Sequence, residues 1–81
     1  MTERKLNFSS GPAVLPDVVL RAAQSALWDL DGTGIGILEH SHRGKEFGHV
    51  LSRTEARLRA VASIPDDYAV LFLTSGATVQ F

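Results

Sequence analysis

The sequence lacks several features that would point to particular protein classes. It contains no cysteine, which excludes a disulfide framework and a thiolate zinc site. Eight Lys and Arg residues face nine Asp and Glu residues, so no excess positive charge attracts nucleic acid or an anionic membrane. No apolar run approaches the length of a membrane span, and residues 1–16 lack an apolar signal core. We therefore expect a cytoplasmic protein that binds neither nucleic acid nor membranes.

The composition is that of a globular chain, with 44% hydrophobic and 21% charged residues among 81. One domain is the upper limit at this length. A chain this short buries only about 60% of its unfolded surface, so we expect marginal stability on its own. The charged residues 1–6 are expected to fray, as chain ends commonly do.

Two segments show helical periodicity. The first is predicted from Pro16, which suits a helix start, to Leu30, with Gly32 supplying a left-handed cap. The second is the clearest amphipathic helix and is predicted over residues 45–62. Between them lie glycines at positions 32, 34 and 36, which favour a flexible connector, and a phosphate-binding loop is the alternative. The segment contains no GxGxxG motif, so it does not predict a dinucleotide-binding site.

A continuous apolar run, YAVLFL, spans residues 68–73 and predicts a strand buried on both faces, as in a parallel sheet. No second clear strand accompanies it, although buried strands need neighbours for their backbone hydrogen bonds. The last three residues, 79–81, resemble the first turn of a helix. We therefore expect an α/β fold of which this chain is the incomplete beginning.

The segment TSGAT, residues 74–78, follows the predicted strand and can bind phosphate. Glycine allows close approach, helix-start N–H groups are unpaired, and hydroxyls add donors. The alternative is a plain strand-to-helix turn in which Thr74 or Ser75 is the N-cap.

The segment EHSHRGKEF, residues 39–47, admits three interpretations. His40 and His42 lie on one side of an extended chain and can grip a metal, but Arg43 and neighbouring cations disfavour it. Arg43 can instead clamp a carboxylate or phosphate through its guanidinium fork, with His42 as a second donor. The third interpretation is a helix start capped by Ser41. The residues alone do not choose between clamp and cap. In SSGP, residues 9–12, two hydroxyls and the Gly11 N–H are available donors, but the pattern favours a bare turn.

Together, NFSSGPAVLP, SHRGKEF and VLFLTSGATVQF resemble the N-terminus of the phosphoserine aminotransferase family, over residues 6–81. The resemblance implies a class V, fold type I enzyme that depends on pyridoxal 5'-phosphate. Residues 1–15 would form a substrate-contact arm, and residues 16–81 would begin the cofactor-binding domain with two amphipathic helices and the first strand of a mostly parallel sheet. The implied reaction transfers an amino group between L-glutamate and 3-phosphohydroxypyruvate, forming phosphoserine for L-serine synthesis, with pyridoxine synthesis as an open further role.

The resemblance also implies a role for individual residues. Ser10 would contact the amino-acid substrate, and His42 with Arg43 would hold its side-chain anion. Ala77 and Thr78 would bind the cofactor phosphate, although many bacterial members carry a glycine-rich loop with arginine there. The clamp would serve the partner subunit's active site, so a homodimer is implied. No metal is expected.

The resemblance places the Schiff-base lysine beyond Phe81, because Lys5 and Lys45 match no motif position for it. No catalytic residue is therefore assigned, and we expect the 81-residue chain alone to be inactive. Two alternatives are another class V aminotransferase, of the alanine–glyoxylate type, and a small non-catalytic binding module.

Overall fold

The structure is a computed structural model that describes residues 3–74 and 76–80. Three α-helices and one 3₁₀ turn follow in chain order: α1 (Asp17–Trp28), the 3₁₀ turn (Ile37–Glu39), α2 (Lys45–Ala62) and α3 (Ala77–Gln80). The chain divides into two compact units, Met1–Ser41 and His42–Phe81. The first unit holds the predicted substrate-contact arm and α1, and the second holds α2 and α3.

Helix α1 is shorter than its periodicity predicted. Pro16 is the N-cap rather than the first helical residue, and its carbonyl accepts the N–H groups of Val19 and Leu20 at 3.0 and 3.2 Å. The helix ends at Trp28 because the next residue, Asp29, is extended (φ −152°, ψ 113°). Gly32 has the expected positive φ of 77°, but it lies in the following turn and does not cap the helix.

Helix α2 has the predicted bounds, Lys45–Ala62. It ends at Ser63, a non-glycine residue in the left-handed conformation (φ 53°, ψ 46°). The carbonyl of Arg59 accepts the N–H groups of Ser63 and Ile64, and the Arg59 guanidinium donates to the carbonyl of Pro65 at 3.1 Å. Arg59 thus closes the end of the helix with both its backbone and its side chain.

The predicted strand is not present: residues 69–73 carry no regular secondary structure, and the described residues contain no strand. Leu71 and Leu73 are 73% and 63% exposed. A strand exists only through hydrogen bonds to a neighbouring strand, and the described residues offer none. The predicted helical turn at residues 79–81 is found as part of α3, except for Phe81, which lies outside the described residues.

The buried residues of the described chain are Leu30 and Gly36, both in the first unit. The apolar faces of α1 and α2 bury no residue completely. Leu30 is 6% exposed and lies where α1 gives way to the glycine-rich turn. Residues 3–74 and 76–80 include no helix whose length and apolarity would suit it to crossing a bilayer.

Candidate functional site

The SSGP turn lies in the arm that precedes α1. The backbone N–H of Ser9 donates to the side-chain oxygen of Asn7 at 3.0 Å, which sets the chain direction just before Ser10. Ser10 is exposed. Gly11 has φ +150°, a region that side-chain-bearing residues rarely adopt. The predicted turn is therefore present, and it presents the Ser10 side chain at the surface of the first unit.

Arg4 fastens this arm to the start of α1. One guanidinium nitrogen, Nη1, donates to the carbonyl of Leu15 at 3.2 Å and also to the carboxylate of Asp17. The expectation that residues 1–6 fray is wrong for Arg4, while residues 1 and 2 lie outside the described residues. No local pattern reveals a pair separated by thirteen positions, so sequence reasoning missed it.

The glycine-rich segment is a closed turn and not a flexible connector. The N–H of Leu30 donates to the carbonyl of Ile35 at 2.9 Å, and the Thr33 hydroxyl donates to the carbonyl of Leu30 at 2.7 Å. The carboxylate of Asp29 accepts the N–H of Gly34 at 2.6 Å. Carboxylates on both sides of the segment thus accept backbone N–H groups within it, that of Gly34 from Asp29 and that of Gly36 from Glu39, and the composition did not indicate these bonds.

Gly36 lies directly against the end of α1. A Cβ atom added there would lie 1.9 Å from the carbonyl oxygen of Leu27. Its N–H donates to the Glu39 carboxylate at 3.0 Å, and its carbonyl accepts the N–H of Glu39 at 2.9 Å. Only glycine allows this approach, so position 36 is dictated by packing. An acidic residue three positions after a helix start is the signal that would have predicted the Glu39 contact.

The ring of His40 contacts this turn. Its Nε2 lies 3.1 Å from the Thr33 hydroxyl oxygen and 3.2 Å from the carbonyl oxygen of Ile35. A carbonyl only accepts, so the contact with Ile35 is a hydrogen bond in the tautomer that carries its proton on Nε2, which leaves the ring's lone pair on Nδ1. The described residues include no group of three or more His, Cys, Asp or Glu side chains that converge on a common point.

His42 and Arg43 occupy the turn immediately before α2, and both are exposed. The N-cap of α2 is Gly44, with no side-chain capping bond, and its carbonyl accepts the N–H of Gly48 at 3.1 Å. The interpretation in which Ser41 caps the helix is therefore wrong, because a cap directly precedes the first helical residue. An exposed guanidinium and an exposed imidazole at adjacent positions are suited chemically to an anion.

Ala77 and Thr78 are the first two residues of α3, and both are exposed. The first N–H groups of a helix have no intrahelical acceptor, so they are available to an anion, and the Thr78 hydroxyl is a further donor. Open space surrounds the Cα of the preceding Gly76. This donor set fits a phosphate. Ser75, which was predicted as a second hydroxyl donor or N-cap, lies outside the described residues.

The five predicted site residues are divided between the two units. Ser10 belongs to the first unit, and the other four belong to the second: His42, Arg43, Ala77 and Thr78. In that unit the two pairs occupy the segments preceding α2 and opening α3. Each pair on its own offers donors to an anion.

Among solved structures, the chain is similar to an aminotransferase. The fold matches, with a TM-score of 0.88 and 36% sequence identity, a phosphoserine aminotransferase whose structure was solved in a study of radiation damage to its Schiff base. The match covers 96% of this chain and 22% of that chain. No protein-family model matches the chain.

The curated relatives are, more particularly, phosphoserine aminotransferases. The phosphoserine aminotransferase of Stenotrophomonas maltophilia strain K279a is 57% identical over 77 residues, and that of Aromatoleum aromaticum is 53% identical over 78. Phosphoserine aminotransferase 2, chloroplastic, of Arabidopsis thaliana is 49% identical over 79 residues. These matches cover 95%, 96% and 98% of this chain. The chain spans about a fifth of its relatives' length, 21%, 21% and 19% respectively.

The resemblance drawn from the three sequence motifs is therefore confirmed: the chain is similar to phosphoserine aminotransferases along nearly its whole length. The bacterial and plant relatives share one activity in their names.

Proposed function

We propose that the chain is part of a phosphoserine aminotransferase, which transfers an amino group between L-glutamate and 3-phosphohydroxypyruvate in L-serine synthesis. The observation that carries this proposal is 57% identity over 77 of the chain's 81 residues to a curated phosphoserine aminotransferase. The chain's own donors support it, since both substrates are anions. We retain the cytoplasm as the proposed compartment for a bacterial-type enzyme, although the Arabidopsis relative is chloroplastic.

Phosphoserine aminotransferases depend on pyridoxal 5'-phosphate, and we assign part of its phosphate site to Ala77 and Thr78. Their position at the start of α3 offers N–H groups that have no acceptor within the helix, together with a hydroxyl, and both suit a dianionic phosphate. When bound, the cofactor supplies the electron sink for transamination. In this proposal the two residues hold and orient its phosphate and take no proton. The residue that forms the Schiff base is assigned to the remaining four-fifths of such an enzyme.

The substrate anion is assigned to His42 and Arg43. A guanidinium binds phosphate or carboxylate through two parallel N–H bonds, and an adjacent imidazole adds a third donor. Both side chains are exposed in the second unit, which leaves them accessible to a ligand or to a second subunit. In the proposed homodimer this clamp serves the partner subunit's active site, and Ser10 contacts the amino-acid substrate.

The test is a pair of variants in the full-length protein, Arg43→Ala and Arg53→Ala, assayed with phosphoserine. Arg53 is an exposed cation on α2, so its removal changes net charge equally and serves as the matched control. A hydrogen bond to a charged group contributes about 1.5–3 kcal/mol, so Arg43→Ala should lower kcat/KM by roughly 10- to 150-fold. Arg53→Ala should leave kcat/KM nearly unchanged.

Equal kcat/KM values in the two variants would contradict the assignment of Arg43 to the anion clamp. Absence of phosphoserine–glutamate exchange in the unaltered full-length protein would overturn the proposed function itself. An Arg43→Lys variant adds a test of geometry, because lysine keeps the charge but loses the planar fork. We expect it to recover only part of the lost kcat/KM.

A further inference from the structure

The arm that carries Ser10 is held to the first unit by a polar contact. Apolar packing within the unit does not hold it, because Leu6 and Phe8 are 83% and 87% exposed. Arg4 and Asp17 lie at the two ends of the arm, and their side chains meet in an ion pair. The Arg4 guanidinium also donates to the carbonyl of Leu15 at 3.2 Å.

The position of Asp17 explains why this contact forms there. Asp17 is the first residue of α1, where its negative charge is stabilised by the helix N-terminus. A cation alone would be repelled from that end of the helix, so the carboxylate is what makes a guanidinium favourable beside it. The pair closes a loop over residues 5–16, and the turn of Ser9 and Ser10 lies inside that loop.

We propose that Arg4 is a positioning residue for Ser10: its ion pair with Asp17 holds the arm on α1, so that the turn presents Ser10 to the amino-acid substrate. This inference rests on the proposed function and on the contact assigned to Ser10. In this role Arg4 acts through Ser10. The closed loop lowers the number of conformations that the arm samples before substrate binds.

The test compares four variants of the full-length enzyme with the unaltered enzyme: Arg4→Gln, Ser10→Ala, their double variant, and the control Lys5→Gln. Lys5 neighbours Arg4 and is exposed, so its variant removes the same charge without removing the ion pair. An exposed pair contributes about 0.2–1 kcal/mol, so Arg4→Gln should raise the KM for L-glutamate roughly 1.4- to 5-fold with kcat unchanged. Lys5→Gln should leave KM unchanged.

The double variant separates positioning from general stabilisation. If Arg4 acts through Ser10, its removal has no further effect on KM once Ser10 is alanine. Fully additive effects would overturn the positioning role, and so would an unchanged KM in Arg4→Gln. A KM that does not respond to Ser10→Ala would refute the Ser10 contact and this inference together, whereas an enzyme without transaminase activity would refute the proposed function.

Salt and a conservative variant provide a second readout. Arg4→Lys keeps the positive charge and should recover most of the wild-type KM. High salt screens exposed pairs, so 1 M salt should raise the wild-type KM toward that of Arg4→Gln while changing the variant less. A salt response that is the same in both proteins would contradict an electrostatic anchor.

Discussion

Substituting Gly36 by alanine should destabilise the first unit more than any other glycine substitution in the described chain. The added Cβ would lie 1.9 Å from the carbonyl oxygen of Leu27 and 2.8 Å from its carbonyl carbon. Real Cβ atoms essentially never approach within 3.0 Å, so the turn has to move away from α1. Both obstructing atoms belong to backbone, so no side-chain rotation relieves the clash. The φ of Gly36, −73°, suits alanine, so the cost is purely steric.

The magnitude follows from what such a movement disrupts. Overpacking a fitted site costs about 1–3 kcal/mol. Moving the turn also stretches the bond from the Leu30 N–H to the Ile35 carbonyl, now 2.9 Å, and a lost hydrogen bond adds about 1 kcal/mol. We expect a local destabilisation of about 2–4 kcal/mol, which accelerates opening of this turn by roughly 30-fold or more.

The assay is hydrogen exchange measured by mass spectrometry on peptides of the full-length protein that span residues 28–40 and residues 45–62. Two other glycines provide control variants. Gly48 lies inside α2 with open space around it, so Gly48→Ala should slow exchange in α2 by stabilising the helix by about 0.5–1 kcal/mol. Gly34 has φ +78° and open space, so Gly34→Ala should cost about 1 kcal/mol through backbone strain alone.

Relative to the unaltered protein, Gly48→Ala should therefore stabilise α2. Within residues 28–40, Gly34→Ala should lower the local stability and Gly36→Ala should lower it further. A Gly36→Ala protein that exchanges as slowly as the unaltered one would refute the close approach to Leu27. A Gly34→Ala effect equal to that of Gly36→Ala would show that strain in the turn, and not contact with α1, sets its stability.

Two further predictions concern the second unit. Ser63 ends α2 at φ 53°, a conformation that costs a non-glycine residue about 1 kcal/mol. Ser63→Gly should therefore slow hydrogen exchange over residues 59–66. Faster exchange would mean that the serine side chain contributes more to stability than the backbone strain costs. Thr78→Ala should weaken cofactor binding about tenfold in the full-length protein, because it removes one hydrogen bond to a charged phosphate. The affinity is measured by absorbance titration of the apoenzyme with pyridoxal 5'-phosphate. The exposed Thr74 provides the control variant, Thr74→Ala, and equal affinities in the two proteins would remove Thr78 from the phosphate site.

Sequence periodicity was a reliable guide to the helices and a poor guide to what lies between them. The bounds of α2 match the prediction at both ends, because an amphipathic repeat preceded by glycine and followed by a proline turn is local information. In α1 the same reasoning missed the end by two residues, since Asp29 is drawn out of the helix to accept the Gly34 N–H. That bond joins residues whose spacing gives no periodic signal.

The candidate site shows the same division. The donors themselves are visible in the sequence, because arginine, histidine and a threonine after glycine carry their chemistry wherever they lie. The anchors are not visible: His40 reads as half of a metal pair, yet its ring is hydrogen bonded to the carbonyl of Ile35. Arg4 reads as part of a frayed end, yet it is paired with Asp17.

By itself, the sequence determined the two long helices, the candidate donors for an anion and the resemblance to phosphoserine aminotransferases, because each of these depends on residues close together in the chain. Only the tertiary structure decided that the glycine-rich segment is a closed turn and that Gly36 touches Leu27. It also decided that the apolar run at 68–73 has no strand pairing among the described residues. The physical reason is the same in each case. Hydrogen bonds and steric contacts between residues separated in sequence depend on the path of the backbone between them, and no local sequence pattern encodes that path.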